Sequence, residues 1–391
     1  MNLQLHVVKL DGSEVSRAIF EWTSTSCDKN ESFLSVLLDP PTDKDLTMNR
    51  RNFLSAAAAT GTLALTRPVF AKKEGTSAIS HKERVDRALG GQDLDRPPFT
   101  FYHHYKRPTA QLEAKDHLAF HRVYNTDIVK VMNDFDYPQS TTGKWYELKP
   151  LDSPFPDQLA TLKLIRDGLN GDAYFIDTIY GPYMTAMILF QSQPQFAGMG
   201  KSEEVQDGQI KSLHDFQQQN PDAWHGALEA ITQSTINHIR HTKDIGASGA
   251  LVSVFNAESK FGSVADYEQY TRPYDKRVFD ALVDTKLTVL HLHYLERPYL
   301  DQFRDFNAPV IQYSVKTSGI PISEVRKQYS QTIAGGVDEI DYERLTAAEM
   351  RKQWTEARAQ AGPKYIAAPG CSVPNSSTPE ELIRFPRSLG L

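Results

Sequence analysis

The strongest constraint on this chain is a regular alternation, starting near residue 98, between short apolar runs and longer amphipathic segments. Eight runs have strand character: Pro98–Tyr102, Asp127–Met132, Ala173–Ile179, Ala250–Phe255, Thr288–His293, Pro309–Ser314, Gln331–Gly335 and Tyr365–Pro369. Several are rich in β-branched or aromatic residues and poor in charge, as expected of strands buried on both faces. Helix-like stretches separate them at 110–122, 155–169, 222–242, 264–285 and 345–360, and a shorter one opens at Ser323. Eight strands with intervening helices are the arithmetic of an α/β fold, the closed (β/α)8 TIM barrel. His81–Leu89 reads as an extra N-terminal helix closing the barrel bottom. The long polar stretch after the third run predicts a helical excursion above the barrel mouth. An open doubly wound sheet is the alternative, but no glycine-rich phosphate loop follows the first run.

Composition narrows the class of partner. The chain has 391 residues, 40% of them hydrophobic, and a formal charge of -6 without a block of Lys or Arg. These values exclude disordered, collagenous and coiled-coil proteins. They leave no footprint for nucleic acid or an anionic membrane, so a small molecule is the expected partner. A homodimer is the assembly left open.

From Met48 the sequence runs MNRRNFLSAAAATGTLALTRPVFAKK. The Arg50–Arg51 pair, the weakly apolar small-residue stretch and the Val69-x-Ala71 pattern resemble a twin-arginine export signal cleaved before Lys72. The apolar part is too short to span a bilayer. Residues 1–47 are charged and long for a leader, so the expected true start is Met48. On this reading residues 1–71 are an extension plus leader, disordered or removed, and residues 72–391 form one domain exported to the periplasm. The domain stays cytoplasmic if the leader does not function. Cys27 is then lost, and Cys371 becomes a single thiol with no intrachain disulfide partner.

Side chains just past the carboxyl ends of barrel strands line the active site. They include His103 and His104 after the first run, Asp134 after the second, Tyr180 after the third, and Asn256 and Glu258 after the fourth. His291 and His293 end the fifth, Tyr313 the sixth, and Cys371 follows the eighth. In a strand, positions i and i+2 share a face, so His291 and His293 can present two imidazoles together. A thiolate from Cys371 would complete three ligands of a tetrahedral zinc site with one open position. The competing reading makes one histidine a core hydrogen-bonding group and Cys371 an inert small hydrophobe. Asp134 is a candidate general acid or an anchor for a cationic nitrogen, or simply a turn cap.

Three segments carry a family resemblance. The opening RVDRALGGQDLDRPPF (Arg84–Phe99), the run Asp127–Asp134 and the closing YIAAPGCSVPNSSTPEEL (Tyr365–Leu382) resemble the uroporphyrinogen decarboxylase superfamily. That superfamily also contains corrinoid-linked, zinc-dependent thiol methyltransferases. The resemblance implies that Asp134 takes the place of the decarboxylases' essential aspartate. Their arginine pair after the first strand is replaced by Phe101–Arg107, where His103 and His104 lie nearest and Lys106 and Arg107 are displaced cations. The family's tyrosine falls at Leu189, its serine near Ala257 and its loop histidine at Cys371. The methyltransferase branch's His-x-Cys and distant Cys correspond to His291-Leu-His293 and Cys371.

Three functions follow. In the first, His291, His293 and Cys371 hold zinc for methyl-group transfer, Asp134 orients or protonates the substrate, and His103 or His104 shuttles a proton. The second is a cofactor-independent decarboxylase of a tetrapyrrole or other carboxylated substrate, with Lys106 or Arg107 binding carboxylate. Tyr180, Asn256, Glu258 and Tyr313 complete the expected substrate contacts. The third is a tetrapyrrole- or corrinoid-binding barrel without chemistry.

Overall fold

The computed structural model describes residues 2–8, 17–23, 79–199, 202–293 and 295–391. The leader at 48–71 and Cys27 lie outside these residues. The chain divides into two units, Met1–Ala78 and Ile79–Leu391. In the first, β1 (Asn2–Val8) pairs antiparallel with β2 (Arg17–Thr23).

The second unit is built on a parallel sheet of seven strands in sequence order. These are β3 (Ile128–Lys130), β4 (Tyr174–Tyr180), β5 (Ala250–Val254), β6 (Val289–Leu292), β7 (Val310–Tyr313), β8 (Thr332–Val337) and β9 (Tyr365–Pro369). Each sits on an apolar run that the sequence marks. The sheet curls around its own core: Ile128, Ile176, Leu251, Val289, Val310, Ala334 and Ile366, one from every strand, form a single buried cluster. Alternate residues point outward, where Val129, Val131 and Phe175 pack on Leu162 and Ile165 of the helix Pro156–Leu169. This two-sided burial explains the near-continuous apolar runs.

The expected closed eight-stranded barrel is corrected to an open, curled, TIM-barrel-like half-barrel. Residues 98–102 contribute one parallel bridge, Phe99 to Ala367, rather than a ladder. They still hydrogen-bond to both edges, with Thr100 N donating to Ala367 O (3.2 Å) and Asp127 N donating to Phe99 O (3.0 Å). The reason is local. Pro97 and Pro98 have no N–H to offer a ladder, and the Phe99 N–H donates to the Asp127 carboxylate (3.0 Å). That buried carboxylate also pairs with Arg84 (2.7 Å), Arg96 (2.5 Å) and His81 (2.9 Å), knotting the barrel bottom. His81 and Arg84 belong to α1 (His81–Gly90), the expected extra helix, whose first turn is capped by Ser80.

Two further helices, α2 (Ala110–Tyr124) and α3 (Pro156–Leu169), match their sequence patterns. The excursion after β4 consists of α4 (Pro182–Gln191), α5 (Glu203–Gln219) and α6 (Pro221–Ile245). The helix expected over 264–285 is broken into Val264–Tyr270 and Arg272–Asp280. Pro273 lies in the first turn of the second piece, where its missing N–H costs nothing. No helix among the described residues is long and apolar enough to cross a membrane.

Candidate metal centre

Strand alternation fixes the first two donors. Val289 of β6 points into the barrel core, so His291 and His293 point inward after it. The His293 N–H donates to Val254 O (2.9 Å), which holds the residue beyond the strand end in register with β5. The third donor comes from the turn after β9. Gly370 lets that turn approach closely: a Cβ there would lie 2.4 Å from Glu339 Oε2 and 2.7 Å from Ser314 Cα. Gln312 Nε2 donates to the carbonyls of Pro369 (2.9 Å) and Gly370 (2.5 Å), fixing the chain just before Cys371.

These constraints bring the three side chains together. His291 Nε2 lies 3.1 Å from His293 Nδ1, and Cys371 Sγ lies 3.6 Å and 3.4 Å from those nitrogens. A tetrahedral zinc with ordinary Zn–N and Zn–S bonds separates its nitrogens by about 3.3 Å and nitrogen from sulfur by about 3.6 Å. The donor set therefore fits a metal ion in chemistry and spacing. Protonation agrees. Burial, then the charges of His293 and Lys130, hold His291 far below the ordinary histidine range. Burial, then Lys130 and His104, bring His293 down to about 4. Both rings are thus neutral near pH 7, as metal ligation requires.

The triad opens on a cavity of about 410 Å³, which Tyr102, His104, Lys130, Thr178, Tyr180 and Ser253 help to line. A second cavity of about 710 Å³, roofed by α4 and α5, shares Met184 and His293 with it. Sequence reasoning overlooked Lys130. Its signal is a lysine in the middle of an otherwise apolar strand whose even-numbered neighbours face the core.

His104 and Asp134 form a pair, His104 Nδ1 lying 2.5 Å from the carboxylate. Asp134 also accepts from Lys106 N at 2.9 Å. Burial pushes Asp134 up, but the His104 contact, its charge and the Lys106 N–H together hold it below the ordinary aspartate range. Tyr180 faces the first cavity, and Glu258 lines the second, where its carboxylate accepts from Glu296 N and Arg297 N (2.7 and 3.0 Å).

Five further expected residues line neither of these two cavities. His103 turns toward α2 and stacks on Phe120 at 6.1 Å, because the strand alternation that sends Tyr102 inward sends its neighbour outward. Lys106 adopts a left-handed turn (φ 53°) that spends its N–H on Asp134 and leaves its side chain exposed. Arg107 is held by Asp116, Nε to Oδ2 at 2.5 Å. Asn256 donates to Thr271 (3.0 Å), and the Tyr313 hydroxyl donates to Ile320 O (3.1 Å).

A curled parallel α/β sheet with metal donors and a cavity at its carboxyl edge defines an enzyme-type barrel with its site at the usual end. Residues 134–388 match the family model described as Uroporphyrinogen decarboxylase (URO-D), and the chain belongs to that family. It is 29% identical over 136 residues to a uroporphyrinogen decarboxylase of Carboxydothermus hydrogenoformans, covering 35% of each chain. It is 35% identical over 72 residues to that of Mycolicibacterium paratuberculosis, covering 18% of this chain and 20% of the relative. The aligned part thus spans about a third or less of these two relatives. A methyltransferase from Methanosarcina mazei shares the fold, with a TM-score of 0.60 at 15% identity over 80% of this chain and 98% of that one.

Proposed function

We propose that this chain is a metal-dependent group-transfer enzyme of the URO-D family that moves a methyl group to or from a small thiol. The observation that carries this reading is the set of donor separations at His291, His293 and Cys371, which match a tetrahedral site with one open position. Zinc is the ion proposed, and when bound it would act as a Lewis acid that favours the thiolate form of a substrate thiol.

The chain's own residues supply the rest. His291 and His293 enter as neutral nitrogen donors because burial keeps them so. Asp134 occupies Nδ1 of His104, which leaves Nε2 as the atom through which His104 exchanges a proton with the substrate. Tyr102, Thr178 and Tyr180 line the cavity beside the donors, where the reacting sulfur would sit. The substrate thiolate attacks the methyl carbon, forming the S–C bond as the bond from methyl to donor breaks and its electron pair stays with the donor.

The cofactor-independent decarboxylase is the weaker alternative. It needs several cations aimed at substrate carboxylates, whereas Arg107 is committed to Asp116, Lys106 faces solvent, and of Lys106, Arg107 and Lys130 only the last lines the cavity. Elemental analysis of the purified protein tests the choice. One zinc per chain, lost in Cys371→Ala and His293→Ala variants that keep their circular dichroism, is the expected result. A metal-free wild type that releases carbon dioxide in an Asp134-dependent manner would replace this reading with the decarboxylase. Tight tetrapyrrole or corrinoid binding without turnover would replace it with the non-catalytic barrel. Export through the Met48 leader belongs to the same proposal. An uncleaved leader on protein recovered from the periplasm would contradict cleavage before Lys72.

A further inference from the structure

Strand β3 places an amine where the barrel calls for a hydrocarbon. Ile128 points into the core cluster, while Val129 and Val131 point to the helix layer. Alternation therefore sends Lys130 inward, one step nearer the mouth, and its side chain is 6% exposed. Its Nζ rests against the Met132 sulfur and lies 5.2 Å from the centre of the Tyr102 ring. No carboxylate among the described residues forms an ion pair with it. A buried ammonium with no ion-paired carboxylate is costly even with the Cys371, Asp134 and Asp177 charges acting on it, and Met or Leu would fill the volume without that cost. Packing does not account for this residue. It does line the 410 Å³ cavity, together with the phenols of Tyr102 and Tyr180.

We propose that Lys130 is a carbonyl-binding residue whose ε-amine condenses with a small aldehyde or ketone in this cavity to form an imine. The amine lone pair forms a bond to the carbonyl carbon, and a proton passes from nitrogen to the carbonyl oxygen, giving a carbinolamine. Loss of the hydroxyl with a proton as one water molecule leaves the C=N bond, and hydrolysis reverses the step with no oxidant or reductant. Tyr102 and Tyr180 are held in their protonated forms chiefly by burial, so each can donate to the carbonyl oxygen. Burial also brings the Lys130 ammonium down to about 8, which keeps a useful fraction of neutral amine near pH 7. No metal ligand forms or breaks a bond in these steps, but Lys130 is electrostatically coupled to Cys371, His291 and His293, so metal-stripped protein is where the inference is tested apart from the metal reading.

The test is reductive trapping of the full chain with acetaldehyde and cyanoborohydride at neutral pH, with the rate read lysine by lysine from peptide masses. With the Lys130 ammonium brought down to about 8, its neutral-amine fraction at pH 7 should exceed that of an ordinary exposed lysine roughly 200-fold. The result expected is ethylation of Lys130 more than tenfold faster than that of exposed Lys211 in metal-stripped protein. Ethylation of Lys130 no faster than that of Lys211, or none at Lys130, would overturn the proposal. A Lys130→Arg variant that keeps the cavity cation is expected to lose the fast adduct. The comparison within the wild-type chain remains decisive should that variant fail to fold.

Discussion

Replacing His103 by Phe tests whether this histidine belongs to the helix layer rather than to the catalytic cavity. The ring packs on Phe120 and edge-on to Tyr105 (5.1 Å), and its Nδ1 is buried without a hydrogen-bond partner. Burial, and then the positive potentials of His104 and His117, lower its pKa from 6.5 to about 4 against an opposing effect of Asp134. A histidine that resists protonation only when folded adds stability above its unfolded pKa, and that contribution is lost as the pH falls from 6.5 toward about 4. Integrating the linkage from pH 7 down to pH 5 gives a loss of about 2 kcal/mol from this one group. Phe fills the same aromatic pocket and cannot titrate, so His103→Phe should remove this part of the acid sensitivity. Urea unfolding of both proteins at the two pH values measures it, since groups not coupled to His103 contribute equally and cancel, leaving His103 with its neighbours His104, His117 and Asp134. The stability lost between the two conditions should be smaller by about 2 kcal/mol in the variant, with metal content unchanged. An unaltered pH dependence, or loss of metal, would refute this placement of His103.

Three further outcomes follow from the geometry. Asp127→Ala removes the anion shared by Arg84, Arg96 and His81 and should destabilise the domain by about 3–5 kcal/mol in denaturant melts, because Arg96 loses its carboxylate partner while Arg84 keeps only Asp95. Gly370→Ala forces a Cβ against Glu339 and Ser314, so zinc affinity should fall about 10–100-fold by chelator competition while the far-ultraviolet spectrum stays native. Asp134→Asn should leave metal content intact but lower the rate of substrate turnover, because it weakens the hold on His104 without touching the donors; an unchanged rate would remove the pair from the mechanism.

Much of the fold was legible because two-sided burial writes itself into composition. Each observed strand of the sheet falls within or beside a run such as Ala250–Phe255 or Tyr365–Pro369, since burial on both faces selects apolar residues, with Lys130 and Asp177 the charged exceptions. The seam at Pro98–Tyr102 was not, because an apolar run does not reveal that two prolines and the Asp127 carboxylate replace ladder bonds. The metal triad was legible in part from a period of two at His291 and His293. The role of Gly370 and Gln312 in delivering Cys371 depends on contacts far apart in sequence and left no local trace. Lys106 and Arg107 misled because charge near a barrel mouth does not specify which way a side chain turns. Asp116 captures one, and the backbone turn directs the other to solvent.

Zinc K-edge X-ray absorption on the purified protein tests the central claim most directly. Stoichiometric zinc is expected, with one sulfur at about 2.3 Å and two nitrogens at about 2.0–2.1 Å, the sulfur shell vanishing in Cys371→Ala. A first shell of oxygen and nitrogen alone in the wild-type protein, or no stoichiometric metal, would contradict it.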